Sequence, residues 1–148
     1  MNKICFILSA AVLACCLNNC GNARKTASDT SLELAGIHWK LIELNGAPVE
    51  TDQSAVEPYI EFDKYTNRFS GSAGCNRVVG SYELNESGII DFSKAAVTKM
   101  MCLNMELENQ FLKILDFIER YKIEGETLTL FGAEDAPLAR FKAVPSNL

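Results

Sequence analysis

From His38 onward the chain alternates apolar and polar residues in short runs of period two, the mark of strands with one buried and one wet face. The first run is His38–Leu44 (HWKLIEL), ended by the turn pair Asn45-Gly46, and the second is Pro58–Asp63. Asn67–Ser70 leads into a glycine-rich corner, Gly71–Asn76. Val79–Leu84 and Gly88–Phe92 come next, separated by Asn85-Glu86-Ser87, which reads as a hairpin loop. Tyr121–Glu124, Thr127–Phe131 and Leu138–Lys142 complete the set, divided by Gly125-Glu126 and by Gly132–Pro137. The pattern predicts seven to eight short antiparallel strands.

One segment breaks the alternation. Over Asn104–Arg120 the apolar residues Leu107, Phe111, Ile114, Leu115 and Ile118 recur at steps of three and four, which predicts a single amphipathic helix. Asn104 is placed to cap its start, Glu106 and Glu108 suit the positive end of its dipole, and Asp116 and Arg120 sit one turn apart. The apolar stripe needs a concave partner, and the strands must supply it. The expected architecture is α+β: a strongly curved antiparallel sheet or incomplete β-barrel with the helix packed against it.

The N-terminus obeys neither period. Lys3 precedes an uncharged, largely apolar run from Ile4 to Leu17, and Cys15, Cys16 and Cys20 crowd its end. The run is too short for a spanning helix, which takes roughly 20 apolar residues, and has the form of an export signal. Leu17-Asn18-Asn19-Cys20 fits a lipoprotein signal, with an apolar residue three positions before the cysteine, although Asn stands where small residues are usual. Val12-Leu13-Ala14-Cys15 is the competing site, and ordinary cleavage without acylation is the plainer alternative. The expected organisation is a signal peptide over 1–19, an acylated Cys20 (palmitate among its acyl chains) with a polar tether over 20–35, a domain over 36–143 and a tail over 144–148. Gly21 rather than Asp after Cys20 does not call for retention at the inner membrane, and no acidic run calls for surface export. The expected location is the periplasmic face of the outer membrane, with the lipid anchor as the membrane contact.

Charge and cysteine usage narrow the partners. Loss of Lys3 with the signal takes the formal charge from −5 to −6, which disfavours nucleic acid as a partner. With four of the six cysteines in the signal region, the domain keeps Cys75 and Cys102. In an oxidising compartment two thiols suggest one disulfide, with two buried free thiols or a reactive cysteine as the competing readings.

Sites of chemistry are sparse. The corner around Gly71 and Gly74 lacks the lysine and the adjoining helix of a phosphate-binding loop, and Ser72 lacks the flanking glycine of a nucleophile elbow. His38 is the only histidine and reads as a surface strand residue. Neither zinc-ligand spacing nor a paired-carboxylate motif is present, so no metal or cofactor is expected. Thiol-redox chemistry by Cys75, with Cys102 resolving it, is the enzymatic alternative. It lacks the usual Cys-x-x-Cys spacing.

The order of short motifs is more specific than any one of them. Trp39-Lys40-Leu41 is succeeded by Leu44-Asn45-Gly46 and Ile60-Glu61-Phe62. Phe69-Ser70-Gly71 then leads through Gly74-Cys75-Asn76 to Gly80-Ser81-Tyr82 and Thr98-Lys99-Met100-Met101-Cys102. Glu106 opens the helix, and Leu128-Thr129-Leu130 and Leu138-Ala139-Arg140-Phe141 close the series. Over essentially the whole domain this resembles the META domain, or HslJ-like, family of bacterial envelope proteins. The resemblance implies a single α+β domain, often carried by lipoproteins or stress-inducible envelope proteins, with no established catalytic activity. It also implies that Cys75 and Cys102 pair, and that Trp39, Gly71, Gly74, Asn76, Gly80, Tyr82, Thr98 and Met100 are motif positions. Val97 stands where a second Thr is common in the family, and Leu103 where Pro is frequent.

The resulting expectation is a monomeric, non-catalytic envelope lipoprotein connected with envelope maintenance under stress. A groove between sheet and helix, lined by Met100, Met101, Phe111, Leu115 and Ile118, is the expected place for a hydrophobic ligand or an envelope protein. Adjacent residues on a strand face opposite ways, so one of Met100 and Met101 is expected to be exposed.

Overall fold

The computed structural model describes residues 32–50, 56–85, 87–102 and 105–145. The signal segment, Cys15, Cys20, most of the tether and the expected helix cap Asn104 lie outside these residues.

The strands are β1 (His38–Leu44), β2 (Ala47–Pro48), β3 (Tyr59–Phe62), β4 (Arg68–Ser72), β5 (Arg77–Leu84) and β6 (Ile90–Val97), then β7 (Arg120–Glu124), β8 (Thr127–Phe131) and β9 (Pro137–Val144). Helix α1 (Glu106–Ile114) lies between β6 and β7. One antiparallel sheet runs in the order β6-β5-β4-β3-β1-β9-β8-β7, with the two-residue β2 paired to β1. Its ends approach each other at a single bridge, Ile89 with Arg120, flanked by hydrogen bonds from the Ile90 amide to the Glu119 carbonyl (3.0 Å) and from the Tyr121 amide to the Gly88 carbonyl (3.0 Å). The sheet is thus a strongly curled half-barrel, joined at one point and open elsewhere, with one helix packed against it.

Local chemistry explains the curl. Asn45 and Gly46 both take positive φ (49° and 79°), the backbone of the tight Asn-Gly turn that pairs Leu44 with Ala47. In β1 the pairing slips between Leu41 and Glu43, a bulge that leaves Ile42 outside and brings both Leu41 and Leu44 into the core. A second slip, between Val79 and Ser81 opposite β6, coincides with Lys94 at φ 53°.

The inward residues form one core: Trp39 and Leu41 from β1, Ile60 and Phe62 from β3, Phe69 from β4, Val78 and Tyr82 from β5, and Leu128, Leu130 and Phe141 from β8 and β9. Edge-to-face rings bind one flank, Phe62 against Tyr82 at 5.0 Å and Phe69 against Phe92 at 5.0 Å. The core also starts earlier than Gly36. Leu34 is buried, and its carbonyl accepts the Trp39 Nε1–H at 2.8 Å. At the other boundary β9 runs to Val144.

Helix α1 is shorter than its apolar period. It ends at Ile114, continues as a 3-10 turn over Leu115–Phe117, and Ile118 is already extended. The sheet takes the backbone beyond: the Glu119 amide donates to the Phe131 carbonyl at 2.9 Å while the Glu119 carbonyl accepts from Ile90. Arg120 therefore starts β7 instead of sitting one helical turn from Asp116, and its guanidinium pairs with Asp135.

Two motif glycines have steric reasons. A Cβ on Gly71 would fall well inside contact distance of the Tyr59 carbonyl oxygen on the neighbouring strand, and one on Gly80 would meet the Phe69 ring. Overpacking of this kind costs roughly 1–3 kcal/mol. Because the atom opposing Gly71 is backbone and cannot rotate away, Gly71→Ala is expected to lose about 2–3 kcal/mol in urea denaturation. A midpoint equal to that of the parent chain would contradict this packing account.

Candidate functional site

The corner joining β4 to β5 is built before anything binds to it. Ser72 Oγ accepts the Gly74 amide (3.2 Å), the Ala73 amide donates to the Asn76 carbonyl (3.1 Å), and Gly74 takes φ 115°, a conformation that favours glycine. This turn carries Cys75 and Asn76 beneath the first turn of α1 and beside the segment after β6.

Asn76, 2% exposed, is the hub. Its Nδ2 donates to Glu108 Oε1 at 2.6 Å and to the Met100 carbonyl at 3.3 Å. Its Oδ1 accepts from the Thr98 hydroxyl at 2.8 Å and from the Met100 amide at 2.7 Å. Its own amide donates to Glu108 Oε2 at 2.7 Å. Thr98 Oγ1 in turn accepts the Arg77 amide at 3.0 Å. Both donors and both acceptor positions of the side chain are used. The opposite amide orientation would turn the Oδ1 toward a carboxylate and a carbonyl, so the network fixes the assignment.

Glu108 is the other half. It is buried (3% exposed) in the first turn of α1, where the dipole and the two Asn76 N–H groups hold its carboxylate. Sequence reasoning places Glu108 at the right end of the helix but misses its partner. The signal is there: Glu108 lies three residues before Phe111 and seven before Leu115, on the apolar stripe, where a carboxylate needs donors.

Cys75 and Cys102 form a disulfide across the same junction, with Cα atoms 6.5 Å apart and a sequence separation of 27. Cys75 is buried. Among the described residues no buried side-chain nitrogen or oxygen lacks a partner.

The residues expected to line a groove are not brought together. Phe111, Leu115 and Ile118 belong to the core, with Phe111 set against the Phe141 ring at 6.2 Å. Met100 and Met101 come after β6 rather than lying on a strand, and both are exposed, at 55% and 99%. Strand alternation does not apply to them, because Asn76 holds the Met100 peptide by its N–H and C=O alone.

His38 occupies a separate patch on the outer face of β1 and β3. Its Nδ1 lies 2.6 Å from Glu61 Oε1 and its Nε2 3.6 Å from Glu57 Oε1, its ring stacks on Tyr59 at 4.4 Å, and Lys40 pairs with Glu57 at 2.5 Å. A depression of about 400 Å³ adjoins it, lined in part by Tyr65 and Ser70. The register sets His38 opposite Glu61 and Glu61 opposite Ser70. The backbones of His38 and Ser70 are therefore two strands apart, roughly 10 Å, with Glu61 between them. Nearby, the Thr66 hydroxyl and the Tyr65 and Thr66 amides hold the Asp63 carboxyl below its ordinary range, and burial raises the Tyr82 phenol, whose hydroxyl donates to the Asp63 carbonyl. Among the described residues no group of three His, Cys, Asp or Glu side chains converges as a metal site.

Two substitutions test the hub. In Glu108→Gln one amide nitrogen must face a donor of Asn76, which is expected to cost roughly 1–3 kcal/mol at unchanged m-value. Removing the disulfide through the paired Cys75→Ala and Cys102→Ala changes is expected to cost about 3–4 kcal/mol on the loop-entropy account. Midpoints that stay where they were in either case would show that the corner does not hold the helix.

Comparison with known proteins agrees with this architecture. A protein from Burkholderia xenovorans solved by NMR superposes with a TM-score of 0.61 at 22% identity, covering 75% of this chain and 83% of that one. A second NMR structure gives 0.58 at 29% identity, covering 74% and 90%. A DUF4847 family protein from Bacteroides vulgatus gives 0.52 at 16% identity, covering 74% and 93%, a likeness of fold alone. No curated protein matches the chain. The META domain profile matches residues 32–145, the same span over which the half-barrel, its helix and the Asn76 corner are built, and the chain belongs to the META domain family.

Proposed function

We propose that this chain is a non-catalytic binding module of the bacterial cell envelope, tethered by an acylated Cys20 and serving envelope maintenance under stress. Its contact surface is the ridge bearing Met100 and Met101. One observation carries the reading: a peptide clamped on both edges by a buried asparagine presents two large apolar side chains to solvent. Flexible, polarizable thioethers suit an adaptable protein contact, and the rigid backbone beneath them lowers the ordering cost of association. An envelope protein is the favoured occupant over a hydrophobic small molecule, because Met100 and Met101 stand exposed while the apolar helix residues that would have lined a groove are already buried. The burial of Cys75 and its pairing with Cys102 favour a structural bridge over thiol exchange.

The anchor and the surface are tested separately. Metabolic labelling with an alkyne fatty acid is expected to mark the parent chain and to fail in Cys20→Ala, and a label that persists in that variant would move the anchor to Cys15. A photo-crosslinking side chain at exposed Lys99 is expected to capture a discrete envelope protein in intact cells, whereas the same probe at exposed Glu124 on β7 captures none. Equal capture at both positions, or at neither, would remove the ridge as a binding surface.

A further inference from the structure

The ridge has a second chemical property, independent of any partner. Exposed thioethers are oxidised by hydroperoxides and hypohalous acids, and conversion to the sulfoxide replaces a flexible apolar group by a polar one. Met101 is 99% exposed and Met100 55%, whereas Met105, the residue that caps α1, is partly covered. The other sulfur atoms of the described domain are tied up in the Cys75–Cys102 disulfide, and Cys75 is buried.

We infer that Met101, and after it Met100, is an oxidant-modified site at which sulfoxide formation changes the ridge while leaving the fold intact. The sulfur lone pair attacks one oxygen of a hydroperoxide. The O–O bond breaks, an S–O bond forms, and the other oxygen leaves as hydroxide or alkoxide and takes the proton from the transferred oxygen, giving water or alcohol. Sulfur is oxidised by two electrons and the peroxide is reduced by two, so no further co-reactant is needed.

The geometry separates this modification from damage to the fold. Asn76 holds Met100 through main-chain atoms, at 2.7 Å to its amide and 3.3 Å to its carbonyl, and neither bond involves a thioether. A new oxygen on either side chain therefore breaks no interaction of the clamp. The result is a loss of the apolar ridge, and its effect on partner binding rests on the function proposed above.

The full-length chain, purified in detergent, would be treated with graded hydrogen peroxide and its methionine peptides tracked by mass spectrometry, natively and in denaturant. The native chain is expected to gain oxygen at Met101 about tenfold faster than at Met105, with Met100 between them and the rates converging on unfolding. The circular dichroism spectrum and the disulfide are expected to survive complete oxidation of Met101. Native rates that do not distinguish Met101 from Met105, or loss of the spectrum with the first oxygen, would overturn the inference. Repeating the Lys99 crosslink with the parent chain before and after oxidation reads the consequence. Capture lost on oxidation supports it. Capture that survives oxidation defeats the switching while sparing the docking surface, and absence of capture before oxidation defeats the docking surface while sparing the oxidation order.

Discussion

A buried carboxylate gripped by an asparagine holds this domain together. The sheet curls but closes at only one bridge, so its core depends on α1 as a cover. A nine-residue helix is marginal by itself, and this one starts without a side-chain cap bond. Glu108 fixes its beginning to Asn76, and beyond its end the main chain at Glu119 is fixed to β8 and β6. Between the two anchors Phe111, Ile114 and Leu115 descend into the half-barrel. Burying a charge is costly unless its oxygens are supplied with donors, so each partner dictates the identity of the other.

The same hub shapes the outer surface. An asparagine side chain offers the donor and acceptor of a peptide group, and Asn76 uses them to pair with the Met100 peptide much as a neighbouring strand would. With its backbone held against the corner, the residue directs its side chain outward, and Met101 beside it reaches solvent as well. The disulfide crosses the junction next to this contact. Helix attachment, corner geometry and the exposed methionines therefore arise from one cluster of residues, and a change at Asn76 reaches all three.

Much of this architecture is legible in the chain because period two survives folding wherever one sheet face is buried. Trp39, Ile60, Phe62, Phe69, Leu128, Leu130 and Phe141 lie inward as their alternation requires. The failures are equally physical. The helix pattern extends to Arg120 because side-chain periodicity does not register that Ile90 and Phe131 compete for the backbone at Glu119. Two-residue β2 is too short to carry a period. Glu108 looks like an ordinary first-turn acid because its charge suits the dipole whether or not it is buried. Strand geometry fails for the two methionines because a side chain, not a neighbouring strand, holds the Met100 peptide. The export signal and Cys20 are read from sequence alone.

The slip in β6 at Lys94 has a consequence for crowded surroundings. Strands at the rim of an open sheet carry unpaired amide and carbonyl groups, a template on which a second copy can stack and begin a fibril. A residue at positive φ in mid-strand interrupts the straight row of groups that stacking needs, and an exposed ammonium at that point repels an identical neighbour. The half-barrel can thus remain unclosed without becoming self-adhesive when many copies share a small volume.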